Sequence, residues 1–94
     1  MDIRAIQPII VSYLRQYGVT KADLFGSVAR GDETDTSDID LLIQLPHKAS
    51  LFDYIGLKQD LEQALGRSVD LVEYDAIKPR LKSYIMRDIK PIDL

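Results

Sequence analysis

The sequence has no cysteine, which removes disulfides, thiolate metal sites and a cysteine nucleophile, and is compatible with a reducing compartment. It has one histidine, His47 in Pro46-His47-Lys48, which reads as a loop residue and not as a catalytic base. No apolar run approaches the ~18 residues of a membrane span. Met1 is followed at once by Asp2 and Arg4, so no signal peptide is expected either, and the chain reads as soluble and cytoplasmic with no membrane partner. A surplus of positive charge is also missing. Twelve Lys and Arg against 15 Asp and Glu leave −3, too small and of the wrong sign for a general nucleic-acid binder.

What remains is 94 residues, 46% hydrophobic and 29% charged, an ordinary globular composition. There is no internal repeat, low-complexity tract or linker. The expectation is one domain over residues 1–94 with one modest core, burying about 60–65% of the unfolded surface.

Apolar spacings of three and four predict a helix over Ile3 to Tyr17, with Asp2 as N-cap, Gly18 as the stop and a regular part that begins near Pro8. Val19 to Phe25 reads as a buried strand closed by Gly26, and Ser27 to Arg30 as one helical turn before the polar, turn-like 31–37. Asp38 to Leu45 has the apolar density of a central strand, ended by Pro46. Ser50 and Asp53 form a capping-box pattern ahead of a second long helix that stops at Gly66. Ser68 to Tyr74 reads as a third strand, with Val69 and Leu71 on one face and Asp70 and Val72 on the other. A last helix starts at Pro79, carries Leu81, Tyr84, Ile85 and Ile89 as an apolar stripe, and ends at Pro91. The order α-β-(turn)-β-α-β-α predicts an α/β (α+β) domain with a small mixed sheet of three strands or slightly more.

The chemistry concentrates in Gly26-Ser27, ten residues, then Asp38-Ile39-Asp40. Residues two apart on a strand share a face, so Asp38 and Asp40 are paired. At the start of an apolar strand such a pair repels itself and resists desolvation unless a cation neutralises it, and Mg²⁺ suits oxygen ligands. Gly26 lets backbone approach a ligand, and Ser27 adds a hydroxyl beside the N–H groups of a helical turn, a small phosphate cradle. For cradle and carboxylates to meet, the first two strands must be antiparallel neighbours. Asp70 joins them if strands two and three are parallel, which the helix between them permits. Three carboxylates, metals and a cradle suit phosphoryl or nucleotidyl transfer.

Leu24-Phe25-Gly26-Ser27-Val28-Ala29-Arg30-Gly31 with Ser37-Asp38-Ile39-Asp40-Leu41-Leu42 resembles the signature of the DNA polymerase β-like nucleotidyltransferase superfamily, and Val69-Asp70-Leu71-Val72 resembles its third carboxylate motif. Length and element order are similar to those of the minimal nucleotidyltransferases, the MNT family, many of which are antitoxins paired with a HEPN-domain ribonuclease toxin. The resemblance implies transfer of AMP from ATP to a toxin tyrosine. It implies that Gly26 and Ser27 hold the triphosphate, that Asp38 and Asp40 bind two Mg²⁺ ions, and that Asp70 completes the metal site and helps activate the acceptor hydroxyl. Arg30 fits the motif as a nucleotide contact. Val28 departs from it, since many relatives carry a basic residue there.

Three other features stand against simpler readings. Tyr13, Tyr17 and Tyr84 read as core or interface residues and not as nucleotide acceptors. The five acidic residues between Asp32 and Asp40 contrast with the five basic ones between Lys78 and Lys90. That basic segment is open between a solvated helix face and a contact for triphosphate or partner. Besides the enzyme, two alternatives are carried: an antitoxin acting by contact alone, and a nucleotidyltransferase for a small molecule.

Overall fold

The computed structural model describes residues 2–32, 34 and 36–94. Glu33 and Asp35, two of the acidic residues expected between Asp32 and Asp40, lie outside the described residues. Helix α1 spans Ile3–Gln16, and the Asp2 carboxylate accepts the Arg4 N–H at 2.9 Å. The Asp2 cap is thus formed as expected, and it, not Pro8, decides where the regular part starts. Pro8 forfeits only the bond to the Arg4 carbonyl, and both residues lie on the exposed side.

Strand β1 (Lys21–Phe25) runs into the short helix α2 (Gly26–Arg30), and β2 (Ile39–Gln44) leads to α3 (Leu51–Leu65). The capping box is formed, with the Ser50 N–H on Asp53 at 2.8 Å, and Gly66 closes the helix. Strand β3 (Val69–Glu73) is followed by a 3₁₀ turn at Tyr74–Ala76, helix α4 (Pro79–Met86) and strand β4 (Lys90–Ile92). The last strand corrects the expectation of a helix running to Pro91: Ile89 lies beyond α4, and Pro91 sits within β4. An edge strand is where proline's missing N–H is tolerated.

The sheet order is β3-β2-β1-β4. As expected, β1 and β2 are antiparallel and β2 and β3 parallel; β4 adds antiparallel to β1. Alternation sorts the strands. Ala22, Leu24, Ile39, Leu41, Ile43, Val69, Leu71 and Ile92 join Ile10 and Leu14 of α1, Leu57 and Leu61 of α3, and Val28 and Ala29 of α2 in one core. The other face of the sheet carries Phe25, Asp40, Asp70 and Asp23. It is covered less completely, because α4 buries none of its residues: Leu81 is 43% and Tyr84 65% exposed, so the expected stripe does not reach the core.

Candidate active site

The β1–β2 register sets Phe25 opposite Asp40, and the β2–β3 register sets Asp40 beside Asp70. The end of β1, the start of β2 and the start of β3 thus meet on the less covered face. Asp38 immediately precedes β2 and is exposed, Asp40 is half-buried, and Asp70 is exposed.

Gly26 opens α2 with φ +72°, and a Cβ there would lie 2.0 Å from Oδ2 of Asp40. Its missing side chain is therefore the space in which the Asp40 carboxylate sits. Any other residue would face both left-handed backbone and that oxygen. Ser27 is the next residue of the turn, whose leading N–H groups have no intrahelical acceptor. Val28, the position at which the chain departs from the resemblance noted above, is fully buried in the core, so it anchors α2 and does not face a ligand.

The Asp40 carboxyl is pushed up to about 6, first by burial and then by the charges of Asp70 and Asp38, with Arg30 opposing. Asp40 and the neighbouring Asp70 bring hard carboxylate oxygens to one face, a donor chemistry that suits Mg²⁺. Among the described residues no group of three or more His, Cys, Asp or Glu side chains is gathered closely enough to hold a metal ion. Arg30 bonds through Nε to Asp32 Oδ2 at 3.2 Å on the exposed surface, the pairing a purely structural arginine would make, while still acting on Asp40 across the site. A recess of about 140 Å³ lies between Phe25, Gly26 and Arg30 on one side and Tyr84, Ile85 and Asp88 on the other. Of the basic residues between Lys78 and Lys90, none lines it.

Sequence reasoning missed the residues that brace this arrangement. The Arg67 guanidinium donates to the carbonyls of Thr34 at 2.9 Å and Ser37 at 3.3 Å, fixing the segment that delivers Asp38. Glu62 accepts the Val69 N–H at 2.9 Å, fixing the residue before Asp70. Parallel pairing of β2 and β3 is the signal that could have located Arg67, since it sets the residues before one strand beside those before the other. Asp23, buried on β1, accepts the Tyr74 hydroxyl, and Lys21 lies 4.8 Å from the centre of that ring. Burial, then this hydrogen bond, raises the Tyr74 phenol above its ordinary range.

The nucleotidyltransferase domain model matches residues 8–92. The chain belongs to the nucleotidyltransferase family. Among relatives in this family, it is 41% identical to the candidate protein adenylyltransferase MJ0435 of Methanocaldococcus jannaschii over 94% of this chain and 95% of that one. It is 29% identical to the protein adenylyltransferase MntA of Thermococcus cleftensis over 95% and 94% of the two chains. A solved candidate minimal nucleotidyltransferase superposes with a TM-score of 0.83 at 36% identity, covering 97% of this chain and 96% of that one. A toxin–antitoxin structure with AMP-PNP gives 0.80 at 26%, covering 93% and 72%. A tri-AMPylated HEPN toxin in complex with an MNT antitoxin from Shewanella oneidensis contains the same fold, with a TM-score of 0.76 at 22% identity over 98% and 72%.

No helix among the described residues is long and apolar enough to cross a membrane.

Proposed function

We propose that residues 1–94 act as a single minimal nucleotidyltransferase domain, an antitoxin of the cytoplasm that transfers AMP from ATP to a tyrosine of a HEPN-domain ribonuclease toxin. The observation that carries the reading is the convergence of Asp40, Asp70 and Gly26 on one face of the sheet in a nucleotidyltransferase-family chain. The adenylyltransferase names of its relatives and the AMP-PNP in a similar toxin–antitoxin structure support the nucleotide and the partner class.

In this reading Gly26 and Ser27 hold the triphosphate with the backbone of the α2 turn, and Arg30 exchanges Asp32 for a phosphate oxygen. Asp38, Asp40 and Asp70 would hold two Mg²⁺ ions, which when bound neutralise triphosphate charge and make the acceptor hydroxyl easier to ionise. Asp70, exposed on the outer strand, faces the acceptor and aids its deprotonation. The tyrosine arrives on another macromolecule and is positioned by docking, which makes a bimolecular reaction effectively unimolecular. The adduct replaces a phenolic donor by a phosphate diester charge, unfavourable in a ribonuclease that must hold an anionic backbone.

The test is to incubate the chain with its HEPN partner, ATP and Mg²⁺ and map adducts by mass spectrometry. A tyrosine heavier by one or more AMP groups is expected. An unmodified but inhibited toxin would replace transfer by neutralisation through contact alone.

A further inference from the structure

Along the outer side of β3 runs a groove of about 500 Å³, walled by Leu45, Leu51, Tyr54, Asp70, Leu71 and Val72 among others. We propose that this groove is the docking site of the acceptor protein, receiving an apolar surface fringed with basic residues that presents its tyrosine to Asp70. The inference rests on the transferase reading above and adds to it the place and chemistry of the acceptor's contact.

Continuity with the carboxylates is the first support. Asp70 is both a wall of the groove and the neighbour of Asp40 across β2–β3, so a group lying in the groove meets the site directly. Exposure is the second. Phe52 is 83%, Leu51 71% and Ile55 41% exposed at the start of α3, and the first two are the most solvated large apolar side chains among the described residues. Of these Leu51 is itself a wall of the groove and Phe52 is its neighbour in the chain; apolar side chains left in water beside a groove mark a contact surface.

Charge selects the occupant. The walls include Asp70 and Glu73 and no Lys or Arg, which repels a nucleic-acid backbone and favours a basic protein rim. A ribonuclease, whose own substrate is anionic, is a protein that carries such a rim.

Hydrogen bonding selects the mode of docking. β3 is an edge strand, yet its outward Val69 N–H is taken by Glu62 at 2.9 Å and its Leu71 carbonyl by the Tyr54 hydroxyl at 2.5 Å. Addition of a further strand is blocked at both positions. The partner is therefore gripped through side chains, by a helix face or a loop. In the reaction the phenolic oxygen forms a bond to the α-phosphorus of ATP as the bond to the bridging oxygen breaks. Pyrophosphate leaves with that electron pair, and the phenolic proton passes to Asp70.

The experiment compares the wild-type chain with the double variant Leu51→Glu, Phe52→Glu, using the purified HEPN partner, ATP and Mg²⁺. Both positions are solvated, and a thermal melt confirms folding. The expected result is a KM for the toxin raised at least about tenfold while calorimetric affinity for Mg²⁺-ATP is unchanged. An unchanged KM for the toxin overturns the proposal and leaves the transferase reading intact. A wild-type chain that binds Mg²⁺-ATP but modifies no protein removes the reading itself. As a second measurement, Phe52→p-benzoylphenylalanine should cross-link to the partner on irradiation and Ile9→p-benzoylphenylalanine should not; the reverse pattern overturns the proposal.

Discussion

Toward α1 and α3 the strands present Ile39, Leu41, Ile43, Val69 and Leu71, each no more than 2% exposed. The opposite face of the same strands presents Asp40 and Asp70, with the buried Leu42 and Asp23 further along. A single alternation divides the sheet into a side that holds the molecule together and a side that holds negative charge. The charged side is tolerable because the apolar one is complete, so the two should respond to mutation with opposite signs.

The largest expected effect is on chemistry. Asp40→Asn should reduce AMP transfer by about 10³-fold, measured with labelled ATP, because the proposed metal site loses one charged ligand. Full activity in this variant would dissolve the distinction between the faces. Next is Leu41→Ala, whose cavity in the packed side should lower stability by about 2–5 kcal/mol in denaturant titrations, with nucleotide affinity per folded molecule unchanged. Gly26→Ala breaks the boundary between cradle and carboxylate. It should lower stability by about 1–3 kcal/mol and weaken calorimetric binding of Mg²⁺-ATP, since its Cβ would displace Asp40 from 2.0 Å away.

A smaller effect concerns pH. The folded chain holds a proton on Asp40 up to about 6, above the ordinary 3.8, so between those values the native state binds more protons than the unfolded one. Stability from this group therefore falls as pH rises through that window and is recovered in acid. Because Asp40 is only half-buried, solvent screening reduces the effect to about 1 kcal/mol. It is read as the difference between wild type and Asp40→Asn at pH 4 and pH 7 without metal; Asn should be the more stable at pH 7. The smallest effect is that of Arg30→Gln, which should raise the KM for ATP about threefold with little change in folding, since its partner Asp32 is on the surface.

The main path of the chain was legible because its punctuation is strong. The Ser50–Asp53 box, Gly66 and the apolar run after Asp38 place α3 and β2, and the need for Gly26 to reach Asp40 implies the antiparallel pairing of β1 and β2. Two expectations failed where local rules compete. Pro8 argued for a late helix start, but Asp2 capped an earlier one. Pro91 read as a helix stop, whereas the pairing of β4 with β1, a tertiary effect, takes Lys90 to Ile92 into the sheet. Within the candidate site, Gly26 and Asp40 could be located from spacing, and Asp70 from its early position on β3 together with the family resemblance. Glu62 and the Asp23–Tyr74 pair could not, because each works through a partner distant in sequence or through backbone atoms that carry no sequence signal, and Arg67 is reachable only through the parallel pairing of β2 and β3.

The Arg67 brace also bears on the order of events in folding. Its two bonds to the Thr34 and Ser37 carbonyls can form only once β3 has aligned beside β2, and that parallel pairing must wait for the whole of α3 to cross between them. The hairpin-like pairing of β1 and β2 spans a shorter stretch and brings Gly26 to Asp40 first. A half-folded or still-emerging chain should thus own a cradle and the Asp40 carboxylate but lack Asp70 and a fixed Asp38. Competence would then arrive as a late, all-or-none event, after the chain has already become too compact to be mistaken for an unfolded one.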